Sequence, residues 1–151
     1  MIGFPRSAVG DLAPAVIVHG LADARLALAL GAPVTLLSAP GAALYAGCGW
    51  WRALISRARA EAPDVAVADI LDCAEGSGQA LAALRLGQRF LVLWQSAPGW
   101  DAAAAIASQR GGAIWPTAPH ALDLSARGAA RRLHDWLQMR TTPSDSSASL
   151  G

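Results

Sequence analysis

Hydrophobic positions along the chain follow a repeated order: an alanine- and leucine-rich run, a glycine, and then a short run rich in strand-forming residues. The glycines are Gly31, Gly87 and Gly111, and the apolar runs after them are residues 34–37, 90–94 and 113–115. Glycine readily adopts the left-handed conformation that ends a helix. Each copy therefore predicts a helix that leads directly into a strand.

Two further runs, residues 15–18 and the mainly apolar residues 65–71, predict two more strands, and Pro63 marks the end of the helix before the second. The five strands recur at roughly 17 to 30 residues, the spacing of parallel strands joined by helical crossovers. Parallel strands are buried on both faces, which explains why these runs do not alternate with polar residues. We predict an α/β fold of about five βα units around a mainly parallel sheet, as a three-layer sandwich or a half-barrel.

The intervening helices have recognisable faces. Near the middle of the chain, one side of a helix collects Trp51, Leu54, Ile55 and Ala58, and another collects Arg52, Ser56 and Arg59. The last helix is expected to begin near Asp123 or Ser125 and to present an apolar face made of Ala126, Ala129, Ala130, Leu133 and Leu137. We predict a single domain over residues 1–140 and a disordered tail over residues 141–151, which are mostly small and polar.

Composition narrows the possible functions. Hydrophobic residues make up 54% of the chain and charged residues only 15%, well below the usual quarter, so we expect a homo-oligomer. All twelve basic residues are arginine. The absence of lysine excludes Schiff-base, pyridoxal-phosphate and Walker-type phosphate mechanisms, which need a primary amine. A net charge of +1 does not indicate a nucleic-acid-binding protein.

Metal, cofactor and membrane signals are weak. The two cysteines, Cys48 and Cys73, and the three histidines match no metal-ligand spacing, so we predict reduced thiols and neither metal nor cofactor. Residues 1–6 do not resemble a secretory signal, and a cytoplasmic location is expected. Residues 26–51 carry no charge and could cross a bilayer as one helix. Glycine and proline interrupt them, however, which favours turns between short elements and no membrane contact.

Polar residues stand where most of the predicted strands end. Ligands bind beyond the carboxyl ends of parallel strands, so these residues are candidates for a shared cleft. His19 would be a general acid or base, with Asp72 or Cys73 as its catalytic partner. The candidate ligand-binding residues in the same positions are Ser38, Gln95, Ser96 and His120. Alternatively, these side chains are polar only because each strand end meets solvent.

The turn that contains Gly76, Ser77 and Gly78 leads from a strand into a helix. Free backbone N–H groups at such a position can hold a phosphate or carboxylate, which makes a small anionic metabolite the expected ligand. Asp72 and Glu75 would oppose an anion there. In the alternative interpretation, Ser77 is only the helix N-cap and the glycines only permit the turn.

A short stretch of the chain resembles a βα unit of the phosphate-sugar aldolases, which are (βα)8 barrels. The resemblance is carried by Asp72 and Cys73 at a strand end, the helical residues 80–87 and the strand residues 90–93. It implies a half-barrel or an open parallel sheet. It does not extend to the reaction, because class I aldolases of that family use a strand-end lysine and this chain has none.

Two hypotheses about function stay open. In the first, the protein is an enzyme or binding protein for a small anionic metabolite, and Cys73 is a nucleophile only if its pKa is lowered. In the second, it is a non-catalytic, homo-oligomeric interaction module. Aromatic side chains that stay partly exposed often mark interfaces. The chain offers six candidates for that role: Trp50, Trp51, Trp94, Trp100, Trp115 and Trp136.

Overall fold

A computed structural model describes residues 12–139 and contains six strands and six helices over that range. The strands are β1 (Ala15–Val18), β2 (Val34–Ser38), β3 (Val67–Asp72), β4 (Phe90–Val92), β5 (Ala113–Trp115) and β6 (Ala121–Asp123). The helices are α1 (Leu21–Leu28), α2 (Ala42–Tyr45), α3 (Cys48–Glu61), α4 (Ser77–Arg85), α5 (Trp100–Gln109) and α6 (Ala129–Gln138). The predicted tail, residues 141–151, lies outside the described residues.

All six strands form one parallel sheet in the order β5-β4-β3-β2-β1-β6, which confirms the predicted α/β fold. From β1 to β5 each strand lies beside the one before it. Since βα crossovers are right-handed, a sheet that grows in one direction carries its helices on one face. Accordingly, one core cluster joins residues of all six helices to alternate residues of the strands. Of the two predicted layouts, this arrangement corresponds to the half-barrel.

The opposite face of the sheet, here called the concave face, holds a second apolar cluster. Leu37, Ile70 and Val92 form its centre, while Trp115 of β5 and Ala121 of β6 pack against them. Neighbouring strands lie about 4.8 Å apart, so β5 and β6 would be about 24 Å apart in a flat sheet. The six-residue step from Trp115 to Ala121 spans at most about 21 Å, so the sheet must curl.

The link between β5 and β6 is only residues 116–120, whereas parallel strands usually need a crossover of a dozen residues or more. A link this short fits the curled sheet, which brings the two edge strands towards each other. The strand β6 was not predicted, and the predicted start of the last helix was wrong, because that helix begins at Ala129 after Gly128. On that helix Leu133 and Leu137 are buried as expected, but Ala130 is exposed.

The predicted helix endings are confirmed. Gly31, Gly87 and Gly111 have φ angles of 70°, 94° and 76°. After α4, the Gly87 N–H donates to the Leu84 carbonyl and the Gln88 N–H to the Ala83 carbonyl, at 3.1 and 3.0 Å. This pair of bonds satisfies carbonyls that the end of a helix leaves open and turns the chain towards β4.

The buried face predicted for α3 is also confirmed, because Trp51, Leu54, Ile55 and Ala58 are all buried. The uncharged residues 26–51 divide among α1, β2, α2 and the start of α3. Within residues 12–139, none of the helices combines the length and the apolar character that crossing a bilayer requires.

Three tryptophans join helices to the sheet through their indole N–H groups. Trp51 donates to the Asp69 carboxylate, Trp100 to the Leu93 carbonyl and Trp136 to the Ala15 carbonyl, at 2.9, 2.8 and 2.7 Å. Trp50 and Trp115 are half-buried against apolar clusters. Trp94 is the most exposed tryptophan of the described chain, at 48%. Most of the tryptophans therefore have contacts within their own chain.

Candidate functional site

The carboxyl ends of the strands form one edge of the sheet, which we call the rim. Asp72 and Asp123 are the last residues of β3 and β6, and His19 follows β1 directly. Asp72 and Asp123 stand two residues after Ile70 and Ala121, so their side chains emerge on the concave side. Titratable groups from three strands thus occupy the position where ligands bind in parallel α/β folds.

His19 and Asp123 form a hydrogen-bonded pair on adjacent strands, with 2.8 Å between Nε2 and Oδ1. The same oxygen accepts bonds from the Ser125 N–H and hydroxyl, at 2.9 and 2.8 Å. Partial burial alone raises the pKa of Asp123, but the hydrogen bonds from Ser125 and His19 outweigh it and hold that pKa below its ordinary value. The carboxylate is therefore charged and fixed in place.

The Asp123 carboxylate orients the His19 ring. Because a carboxylate accepts, the bonded Nε2 carries a proton, which leaves Nδ1 as the basic nitrogen of the neutral ring. Nδ1 has no hydrogen-bond partner within residues 12–139. The side chain is 39% exposed. A histidine held through one nitrogen and open at the other is arranged as general acids and bases are in hydrolytic triads.

Asp72 has a different environment, because its side chain is buried. Its Oδ1 accepts hydrogen bonds from the N–H groups of Gly41 and Ala74, at 3.1 and 2.9 Å. The Asp72 N–H donates to the Ser38 hydroxyl oxygen at 2.9 Å. Burial raises the pKa of Asp72, and the two backbone bonds to its carboxylate offset this only in part. Ser38 and Asp72 together connect the ends of β2 and β3.

The expected pairing of His19 with Asp72 is not formed. The strands β1 and β3 are separated by β2, a span of about 10 Å. His19 instead pairs with Asp123, which the sequence analysis had assigned to the start of a helix. The signal for the missed residues was the order Asp123, Leu124, Ser125, in which an Asp side chain accepts from the N–H two residues later.

Cys73 points to the helix-covered side of the sheet and is fully buried. Burial, together with smaller contributions from the Asp72 charge and from Cys48, raises the pKa of its thiol to about 12. A nucleophilic cysteine needs the opposite, a lowered pKa in an accessible position. These properties are those of a packing residue.

Gly76, Ser77 and Gly78 lie at the start of α4, as predicted. Ser77 does not cap that helix, since its hydroxyl donates to the Pro98 carbonyl and its N–H to the Glu75 carbonyl. A Cβ on Gly76 would lie 2.5 Å from a methyl carbon of Leu44 and 3.0 Å from the Cys73 carbonyl oxygen, so the Leu44 side chain would have to move to admit it. The nearest acidic neighbour along the chain, Glu75, is exposed.

The remaining candidate ligand-binding residues lie at opposite ends of the sheet. Gln95 and Ser96 are exposed in the loop between β4 and α5, at the rim. His120 directly precedes β6 and therefore lies at the opposite end of the sheet, which corrects its assignment to the rim. Its ring packs edge-on against Trp136, with 5.1 Å between centroids, beside an apolar cavity of about 300 Å³.

Among residues 12–139, no three His, Cys, Asp or Glu side chains converge as they would around a metal ion. No protein-family model matches the chain. No curated protein matches its sequence.

Proposed function

We propose that the protein is an enzyme that transfers a proton to or from a small polar molecule at the rim. The observation that carries this proposal is the 2.8 Å bond between His19 and Asp123, with Asp123 held in turn by Ser125. In this proposal Nδ1 of His19 exchanges the proton with substrate. Asp123 stabilises the imidazolium that forms, and Ser125 positions Asp123.

Asp72 is proposed as the second titratable group of the site. Its pKa is raised, as the pKa of a carboxyl group that acts as a general acid usually is. Its Oδ2 has no hydrogen-bond partner in the described part of the chain. In this proposal that oxygen contacts substrate.

The charges near the strand ends favour a neutral or cationic substrate. Asp72, Glu75 and Asp123 carry carboxyl groups, whereas Arg127 is the one arginine in the segments that join strand ends to the following helices. An anionic metabolite held by the start of α4 would face Asp72 and Glu75, so it is the weaker candidate here. Tyr45 and Trp94, 71% and 48% exposed, follow β2 and β4 and offer apolar contacts.

A second candidate function is protein interaction through the same end of the molecule. It is favoured by the exposure of Leu44, Tyr45 and Trp94, which are 41%, 71% and 48% accessible. If the rim binds a second copy of the chain, substitution of Tyr45 or Trp94 by serine will change the molecular mass in solution. Substitution of His19 will not change it. Light scattering after gel filtration distinguishes the two functions.

A thermal-shift screen tests the enzymatic proposal. The panel contains amino acids, amines, amino sugars and polyols, together with phosphorylated and carboxylated metabolites. We expect a neutral or cationic compound to raise the Tm, since a ligand at a hundredfold excess over its Kd stabilises the fold by about 2.7 kcal/mol. His19→Ala and Asp123→Asn should each remove most of that stabilisation, because both alter the oriented imidazole.

The matched control is His134→Ala, which changes an exposed histidine on α6. It should leave the Tm increase intact. A compound that stabilises the wild type and His19→Ala equally would contradict the proposal, as would a panel in which nothing binds. A phosphorylated or carboxylated compound that binds through His19 would support the rim as the site. It would contradict the proposal that the substrate is neutral or cationic.

A further inference from the structure

A polar cleft of about 470 Å³ lies at the opposite end of the sheet from the rim. It opens between α3 and the first residues of β3 and β4. Its polar lining consists of Arg52, Ser56, Arg59, Asp69, Gln88 and Arg89, and we call it the arginine cleft. A cleft of this volume is within the range that small ligands occupy.

Two of its guanidinium groups are held by helix-end carbonyls. Arg52 donates to the Leu86 carbonyl at the end of α4 and lies against Gly87, where a Cβ would approach its Nη1 to 3.2 Å. Arg89 donates to the Gly111 carbonyl at 2.8 Å. Its guanidinium carbon also lies 5.3 Å from the centre of the Phe90 ring, a cation–π distance.

Arg59 is the third guanidinium group. One of its terminal nitrogens donates to the Val67 carbonyl and to the Asp69 carboxylate, both at 3.0 Å. All three arginines are thus positioned by the fold before any ligand arrives, which reduces the entropy that binding would cost.

The three arginines keep most of their hydrogen-bonding capacity. A guanidinium group has five N–H donors on three nitrogens. Within residues 12–139, each of the three arginines donates from one nitrogen only. Two nitrogens of each side chain are therefore available to a bound molecule.

The net charge of the lining is positive, since three guanidinium groups stand against one carboxylate. That carboxylate, Asp69, already accepts hydrogen bonds from Trp51, Arg59 and Gln88. Its charge is screened from the cleft by these donors. The Ser56 hydroxyl adds a neutral donor to the lining.

We propose that the arginine cleft binds a small anion that carries phosphate or carboxylate groups. Guanidinium groups bind both through paired N–H donors, and several preorganised guanidinium groups favour a ligand with more than one negative charge. This proposal does not rest on proton transfer at the rim. It places the anionic ligand at the amino ends of the strands, whereas the carboxyl ends carry the acidic residues.

The test is a titration of the full chain with inorganic pyrophosphate and, in a separate arm, with citrate. Heat of binding gives the affinity, and the indole ¹⁵N–H signals locate the site. The Trp51 indole bonds to Asp69 in the cleft lining, so its signal should shift. The Trp100 and Trp136 indoles bond elsewhere and should not shift. The two arms distinguish a phosphate ligand from a carboxylate ligand.

Arg52→Gln and Arg89→Gln should each weaken binding by about tenfold or more, the loss expected when a charge-assisted hydrogen bond is removed. The matched control, Arg131→Gln on the exposed side of α6, should bind as the wild type does. Unshifted Trp100 and Trp136 signals confirm that each variant is folded. Equal weakening by all three variants would overturn the proposal, as would the absence of binding by either anion at millimolar concentration.

Discussion

Two carboxyl groups at the rim show how position determines the charge state of a residue. Asp123 is about one-third exposed, at 37%, and accepts three hydrogen bonds at one oxygen, whereas Asp72 is buried and accepts two from backbone N–H groups. Burial raises the pKa of both, and only at Asp123 do the hydrogen bonds outweigh it. Asp123 is therefore a fixed anion at the end of β6, whereas Asp72, at the end of β3, ionises only at a pH above the usual range of an aspartate.

Asp72→Asn should stabilise the protein at neutral pH. The folded-state pKa of Asp72 is raised, so its contribution to stability is complete below its unfolded pKa and is lost as the pH rises through the folded value. Asparagine keeps the Oδ1 acceptor for the Gly41 and Ala74 N–H groups and cannot ionise. Urea unfolding should give a higher midpoint for the variant at neutral pH and a smaller difference in acid.

Asp72→Ala is the control, because it removes the acceptor as well as the charge. It should cost about 1–3 kcal/mol at every pH by leaving buried N–H groups unpaired. A variant Asp72→Asn that is less stable than the wild type at neutral pH would show that the carboxylate is stabilising. In that case Asp72 could not serve as the raised-pKa carboxyl group of the proposed site.

Residue types at strand ends were predictable from the chain, but their partners were not. His19, Ser38 and Asp72 lie at the rim because each follows an apolar run that becomes a strand. The partner of His19 depends on which strands are neighbours, and β6 pairs with β1 through residues 106 positions apart in sequence. No local pattern contains that information.

At the level of elements, the turn from α5 into β5 depends on a glycine that lies against the backbone of a neighbouring segment, as well as on glycines with positive φ. Gly112 follows α5 and is buried. A Cβ at this position would lie 1.8 Å from the Arg89 carbonyl oxygen, although Gly112 is not among the glycines with positive φ. The strands β4 and β5 pair immediately after this contact, so the backbone cannot move away freely.

Gly112→Ala should destabilise the fold by about 3 kcal/mol or more, the effect of forcing extra atoms against a fixed backbone. Chemical denaturation measures it. Gly78→Ala is the matched control, since nothing lies within 4 Å of the added Cβ. In α4 that change should leave stability unchanged or raise it by up to about 1 kcal/mol. Equal effects of the two substitutions would contradict the assigned contact.

Five of the six strands were predictable because each is an apolar run after a turn or helix signal. The sixth, β6, is only Ala121–Asp123, and three residues carry no periodicity that distinguishes a strand from a loop. Asp123 and Ser125 also resemble helix N-caps, and the local bonds they make are the kind that caps make. The start of α6 was misplaced for this reason.

Across the whole molecule, the two ends of the sheet differ in charge. Carboxyl groups follow β3 and β6, while arginines cluster where helices end and β4 begins: Arg52, Arg59, Arg85, Arg89 and Arg110. Cations near helix carboxyl ends complement the helix dipole, and Arg52 and Arg110 also donate to carbonyls of α4 or its cap. One arrangement thus stabilises the helices and leaves the arginine cleft positive.

Glu61 joins the helical layer at the same end. Its carboxylate accepts two bonds from Arg25 of α1, both at 2.7 Å, and one from Arg57 at 2.9 Å. The hydrogen bonds from Arg25 and then Arg57 lower its pKa to about 2. A lowered carboxyl pKa gives stability that is present above the unfolded value, near 4.5, and is lost as the pH falls towards 2.

Glu61→Gln should therefore be less stable than the wild type at neutral pH, and the difference should shrink in acid as the wild-type carboxylate is protonated. Urea midpoints measured from neutral pH to about pH 2 would show the two curves converging. Glu75→Gln, an exposed glutamate with no ion pair among residues 12–139, should follow the wild type throughout. Curves for Glu61→Gln and the wild type that stay parallel into acid would mean that the bridge between α1 and α3 contributes nothing through its charge.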